Sequence, residues 1–420
     1  MTEGSLSGDG LVGMRSPGIG YRNAPSQALA MTDADPALGD MFGGGPFGTL
    51  EKRLGLVAPD RPRVYRRALA AVAVSWLPLL ILSLIGGTLL ASPKGFVWDF
   101  AVHARYLVAV PLLVFAERTC MPRLSAIARH FLDTGLVPER ERSRFVAAAL
   151  STARWRDSVR VEMAIAILAY ALTGILMTSV QFESSPIWQR HVVGGVETFT
   201  LAGWWHSLVS TPLLLGLLLW WFWRMVLWSR FLWLVSRLEL QLIPAHPDHA
   251  AGLMFAGYSV RACGILGFAL GVIVAGTMAN QVFHDGATLL SLRYVPIGLV
   301  AVNIVAFCAP LACFSVNLLH AWRRGTFEYG ALAGGLGRQF ERKWLNRKEG
   351  IEPDALDVQH FSATTDLYSI VSNVYAMHFV PLDLKSLLYM AVATLLPFLP
   401  VVILATSLDA VLEGLAGLFF

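Results

Sequence analysis

Charge is scarce in this chain. Only 15% of its 420 residues are charged, while 55% are hydrophobic, against about 25% charged in an ordinary soluble domain. With a mean hydropathy of +0.57, that shortage excludes a soluble globular protein and predicts a polytopic membrane protein. Lysine is scarcer still, confined to Lys52, Lys94, Lys343, Lys348 and Lys385, so arginine supplies nearly all of the positive charge. The net charge is only +4, and nothing in the pattern asks for a nucleic acid; the expected partner is the lipid bilayer.

Other absences narrow the chemistry. The four cysteines, Cys120, Cys263, Cys308 and Cys313, form no C-x-x-C pair and three sit in apolar stretches, where cysteine acts as a small hydrophobe; no structural disulfide is expected. Phosphate-binding glycine loops, G-x-S-x-G and H-E-x-x-H are all missing, which removes the usual nucleotide, hydrolase and metalloprotease signatures. The first sixty residues hold no apolar core of signal-peptide type, and residues 1–50 are rich in Gly, Pro and Ser, so they read as a flexible tail.

What is abundant is long apolar runs. A membrane-crossing helix needs about 20 apolar residues, and residues 67–91, 163–182, 203–223, 262–282, 294–319 and 386–406 supply them. A seventh span near 98–117 is weaker. Its uninterrupted apolar run, "YLVAVPLLVFA" at 106–116, is about 16 Å long as a helix. Basic residues orient the set, because Lys and Arg concentrate in cytoplasmic loops. "RPRVYRR", "PERERSRFVAAALSTARWRDSVR", Arg224 with Arg230 and Arg237, and "RQFERKWLNRK" all fall on one side, whereas the other side has only Lys94, Arg105, Arg190 and Arg293. The fold class is therefore all-α with about seven transmembrane helices, the amino terminus cytoplasmic, the carboxyl terminus periplasmic, and the location a bacterial inner membrane. Spans one and two fill 51–117 and spans three to six fill 161–320. Span seven and a tail fill 385–420. Residues 118–160 and 321–384 read as cytoplasmic helical segments, with Pro122 near the start of one helix. Trp204 and Trp205 at one end of span four, with Trp220, Trp221 and Trp223 at the other, read as interfacial aromatic belts.

Span two carries the functional expectation. To cross, it must take in polar residues, and charged groups at membrane depth normally face protein or water. Asp99 and His103 are four apart and share a helical face. With Arg105 beside them, His206 on span four, and Gln281 and His284 closing span five, they form the expected substrate path, an outward-facing polar vestibule. The competing reading lets Arg105 snorkel to the outer interface from a short, tilted helix. Arg261 and Glu162 read as snorkelling residues at span edges. Asn303 and Asn317 read as helix–helix glue, and Gly267 with Gly271, in G-x-x-x-G spacing, as a close-packing site. An echo between "RYLVAVPLLV" and "RYVPIGLVAV" hints at an internal repeat.

A second constellation lies in "LIPAHPDHAAGL", residues 242–253. His246, Asp248 and His249 are chemically suited to a divalent metal, though without the usual helical ligand spacing. The rival reading is a turn: Pro244 and Pro247 stop a helix, and Asp248 caps the next one. The turn accounts for more of the residues. Haem is the other cofactor considered, with outer His103, His206 and His284 and inner His246, His249 and His320, all close to helix ends. The cofactor is thus left as unknown, metal or haem.

The stretch from "HPDHAAGL" through "ALDVQHFSATTDLYSIVSNVYAMHFVPLDLKSLLYMAVATLLPFLPVVI" resembles an uncharacterised family of polytopic bacterial inner-membrane proteins. The resemblance rests on the His-Pro-Asp turn followed by Gly-Leu and on the terminal helix, and covers the last half of the chain. It implies an inner-membrane location and no activity. The leading functional expectation is a transporter or channel for a small polar or anionic solute. The alternatives are a metal- or haem-dependent membrane redox enzyme, and a sensor or assembly partner acting through its cytoplasmic segments on a protein partner or in a homo-oligomer.

Overall fold

The structure is a computed structural model, described here for residues 63–91, 94–179, 186–193, 196–345 and 359–406. The tail read at 1–50 lies outside them. Among the described residues, seven helices are long and apolar enough to cross a membrane: Val64–Ile85, Phe100–Asp133, Val159–Thr178, Leu201–Ser236, Met254–Phe283, Tyr294–Arg342 and Leu384–Thr406, numbered here as spans one to seven. This is an all-α polytopic membrane fold. The only strands among the described residues are Arg190–Val193 and Val196–Phe199, an antiparallel hairpin between spans three and four.

Two boundaries differ from the sequence reading. Span two does not end near residue 117; its α-helix runs on to Asp133 with Pro122 inside it. A proline removes only one backbone donor, and the ring is accommodated where neighbours support the helix. Span six likewise continues as helix to Trp344, so much of each expected separate segment is a projecting end of a span. A shorter helix, Glu139–Arg156, follows span two, and Gln359–Tyr375 precedes span seven.

The packing between helices follows from small residues and a few polar ties. Span five is the central helix, with 67% of its most apolar window buried, against 11% for span three. Its glycines meet span seven so closely that a Cβ on Gly271 would lie 2.3 Å from the Thr394 carbonyl oxygen, and one on Gly267 2.7 Å from Met390 Sδ. Asn303 Nδ2 donates to Thr394 Oγ1 at 3.1 Å, and Asn317 Nδ2 to the Ser236 carbonyl at 3.0 Å. Both asparagines join helices, as expected. All four cysteines are free.

Two arginines are placed differently from the sequence reading. Arg261 does not snorkel: it ion-pairs with Asp383 and its Nε donates to Ser386 Oγ at 2.8 Å, clasping span five to the start of span seven. Arg224 is 2% exposed and pairs with Glu117 at 2.9 Å, while Arg67 reaches the other oxygen of the same carboxylate at 3.2 Å. One carboxylate thus ties spans one, two and four. Trp220 and Trp221 are buried beneath this group instead of forming a lipid-facing belt, with the Arg224 guanidinium over both rings and Trp221 Nε1 donating to the Leu113 carbonyl.

Candidate functional site

Two polar regions stand at opposite ends of spans two, four and five. The first lies at the ends poor in basic residues. Asp99 is 4% exposed and fully engaged. Its Oδ1 accepts from Val102 N (3.1 Å) and Asn280 Nδ2 (2.8 Å), and its Oδ2 accepts from Trp188 Nε1 (3.0 Å). It thereby caps the first turn of span two and joins it both to span five and to the loop before span four. Buried carboxylates survive only with such donors.

Trp188 is the hub of this region. It is wholly buried, with its ring edge-on to Phe96 and His206 at 5.3 and 5.4 Å between centroids. Thr200 holds the loop down, since its hydroxyl donates to the Trp188 carbonyl and accepts from Gly203 N, the first turn of span four. Gly203 is required there: a Cβ would lie 2.0 Å from the Gln189 carbonyl oxygen.

The sequence candidates distribute around this hub. His103 does not pair with Asp99. Its Nδ1 accepts from Trp76 Nε1 at 3.0 Å and its Nε2 faces the Val97 carbonyl at 3.2 Å, an arrangement that the Nε2–H tautomer satisfies. His284 Nε2 donates to the Trp98 carbonyl at 2.6 Å, and its ring stacks on Phe100. Arg105 donates to Thr277 Oγ1 on span five at 3.0 Å, so it faces a neighbouring helix. His206 sits 3.5 Å from Thr211 Oγ1, which lies 3.3 Å from the buried Tyr106 hydroxyl. Gln281 is exposed and stands apart from the cluster. A cleft of about 50 Å³ remains beside Asp99, Asn280 and His284, opening past Lys94 and Asp285.

Both helices that supply the Tyr106–Thr211–His206 contact are irregular where they do so. Ala104–Ala109 and His206–Ser210 are π-helical. Such segments are rare, and occur often at functional positions.

The second region lies at the basic-flanked ends. A cavity of about 830 Å³ opens there between the end of span two, the start of the helix Glu139–Arg156, the segment 239–252 that joins spans four and five, the start of span five, and Arg324 within span six. Arg140, Glu239, Asp248 and Arg324 give it charge, His130 and His246 add imidazoles, and Phe255 and Tyr258 give it aromatic wall. Arg140 pairs with Glu239 across the rim, and Arg324 Nη2 donates to the Leu242 carbonyl at 2.8 Å. Behind the wall, the Phe255 ring packs on Phe131 at 4.8 Å, and Phe131 stacks on Phe314 at 6.0 Å.

The His-Pro-Asp-His turn forms part of that cavity. Asp248 Oδ1 accepts from Ala250 N (2.9 Å) and Gly252 N (3.1 Å), and Oδ2 from Met254 N (3.1 Å), the first residue of span five. His246 Nδ1 lies 2.8 Å from Oδ1 of the same carboxylate. Burial works against ionisation of Asp248, yet these N–H donors and His246 outweigh it and hold the carboxyl below the usual carboxylate range. His249 is in the left-handed region at φ 54°, and its ring is edge-on to His378 at 6.3 Å. His246 and Asp248 therefore share a contact while His249 faces another residue. No group of three or more His, Cys, Asp or Glu able to hold a metal occurs among the described residues.

Comparison with known proteins finds no matching family model, no matching curated protein and no matching solved structure. The chain's own geometry therefore carries its functional reading.

Proposed function

We propose that this multi-pass membrane protein is a carrier for a small polar or anionic solute, with the cavity at its basic-flanked, cytoplasmic end as the solute chamber and the Trp188 cluster as the opposite gate. One observation carries the reading: spans two and five each contribute to both the open cavity and the interlocked polar cluster, and span four, which joins that cluster through His206 and Thr211, leads directly into the segment 239–252 that forms much of the cavity wall. A chamber of this size suits a small molecule, and its mixed lining of Arg140, Arg324, His130 and Asp248 suits a polar one. Polar residues are costly within a membrane-crossing helix unless used, and the two π-helical segments allow local rearrangement of spans two and four without unfolding either. The bacterial inner-membrane location belongs to the same proposal, supported by the basic-residue bias of one set of loops.

The test is uptake by proteoliposomes across a panel of small anions, zwitterions and neutral polyols. The carrier reading expects at least one class to enter about tenfold faster than into empty vesicles, with Arg324→Ala and Arg105→Ala each slowing it. Equal entry of every class with and without protein, together with no binding of any of them to the purified protein, would end it. Unchanged flux in Arg105→Ala alone would remove only that residue from the path.

A further inference from the structure

Spans three and four leave an amphipathic groove between them at the basic-flanked end. The groove is about 640 Å³. Its mouth carries Arg154, Arg160 and Ser158 with the Trp155 and Trp223 rings, 6.3 Å apart. Phe222 stands beside Trp223, and the walls a turn or more deeper are Ile165, Leu168 and Leu219. A second, mostly apolar groove of about 290 Å³ adjoins it on the same helix pair, sharing Ile165 and reaching deeper past Ala169 to Leu213, with Glu162 at its shallow end.

We infer that this groove is a binding site for an anionic phospholipid, with the headgroup phosphate between Arg154 and Arg160 and one acyl chain along the span three–span four seam. Three features select that occupant. Both arginines are exposed, and neither has an ion-pair or hydrogen-bond partner among the described residues; nearby Asp157 is engaged by Arg156 through two hydrogen bonds at 2.7 and 2.8 Å. The cations and the paired tryptophans stand where span three begins, which is headgroup depth for a membrane helix. Directly below them the groove is hydrocarbon in character and long enough to continue past a full helical turn, which a soluble phosphate would not need. Span three has few protein neighbours, so lipid filling this seam would complete its packing against span four.

The test uses the purified, delipidated full-length protein in nonionic detergent, with native mass spectrometry reading retention of phosphatidylglycerol against phosphatidylcholine. One phosphatidylglycerol should be retained in strong preference. An arginine at this depth accounts for about a fivefold preference, so Arg154→Gln/Arg160→Gln should lower the preference roughly 25-fold. The charge-preserving pair Arg154→Lys/Arg160→Lys should keep most of it. Ala164→Phe, which fills the groove, should weaken both lipids together. Arg237→Gln, a basic residue elsewhere on the same side, should change nothing. Equal retention of the two lipids by the wild type would overturn the inference, as would a preference that survives loss of both arginines or falls equally with Arg237→Gln. Displacement of the lipid by millimolar inorganic phosphate alone would assign the arginines to a soluble anion and equally overturn it. If the glutamine pair does not fold, the lysine pair and Ala164→Phe decide the matter: unaltered retention in Ala164→Phe contradicts an acyl chain in the groove.

Discussion

The two ends of spans two, four and five are built from similar residues to opposite effect. At one end a carboxylate, two imidazoles and several indoles are locked to one another around Trp188, leaving about 50 Å³ of space. At the other, a carboxylate, imidazoles and arginines line about 830 Å³. The difference lies in what supplies the hydrogen bonds. Asp99 takes its donors from three separate elements, so satisfying it draws those elements together. Asp248 takes its backbone donors from its own turn and from Met254 directly after it at the start of span five, so satisfying it draws in no element remote in sequence. A buried polar group closes a structure when its partners are remote, and shapes a loop when they are local.

Variants can break this contrast, beginning with the largest effect. Asp99→Ala should cost at least about 3 kcal/mol in detergent unfolding, because it strands Trp188 Nε1, Asn280 Nδ2 and Val102 N. An unaltered melt would mean that the cluster does not hold the three elements together. Leu253, and not Asp248, is the N-cap residue at the start of span five, so Asp248→Ala should cost about 2 kcal/mol or less through loss of the carboxylate that holds the preceding turn together. It should also alter the response to acid. The carboxyl is held below its ordinary value in the folded state, so its contribution is complete above the unfolded value of about 3.9. It is lost as pH falls through the lower folded value. The wild type should therefore lose more stability than Asp248→Asn below about pH 4, and parallel acid curves would contradict a carboxylate held by these backbone donors. Tyr106→Phe should cost about 1 kcal/mol, the worth of one hydroxyl contact from the π-helical segment of span two to Thr211, the residue just past that of span four. Arg140→Ala should cost under about 1 kcal/mol, since Arg140 and Glu239 remain 71% and 69% exposed across the rim; a larger loss would show the cavity to be as interlocked as the opposite end.

The spans were legible in the sequence because a long apolar run needs no partner to declare itself. Asn303, Asn317 and the Gly267–Gly271 pair were legible for a related reason: in a membrane, small and amide side chains have few uses besides contact. Asp248 was legible as part of a turn, though not of one capped at Leu253, because its partners lie within six residues. Trp188 was not, although a lone tryptophan in the polar "SSPIWQRH" loop was a signal. Its partner Asp99 is 89 residues away, and no local period encodes that distance. The same holds for Glu117 with Arg224, and for Arg261 with Asp383, which lie 107 and 122 residues apart. An arginine at a span edge looks alike whether it reaches for lipid or for a carboxylate on another helix. The π-helical segments leave no compositional trace, because they arise where side chains of neighbouring spans must meet.

The sided opening of the molecule is best tested with two reporter thiols, in a background with the four native cysteines replaced by alanine. Ser210→Cys sits at the closed end, fully buried with Ser210 Oγ donating to the Ser75 carbonyl at 2.7 Å; Gln241→Cys sits in the cavity wall. A membrane-impermeant maleimide applied to both faces should modify Gln241→Cys rapidly and leave Ser210→Cys unmodified until the protein is denatured. Equal rates at the two positions, or faster modification at Ser210→Cys, would contradict a protein open at its basic-flanked end and shut at the other.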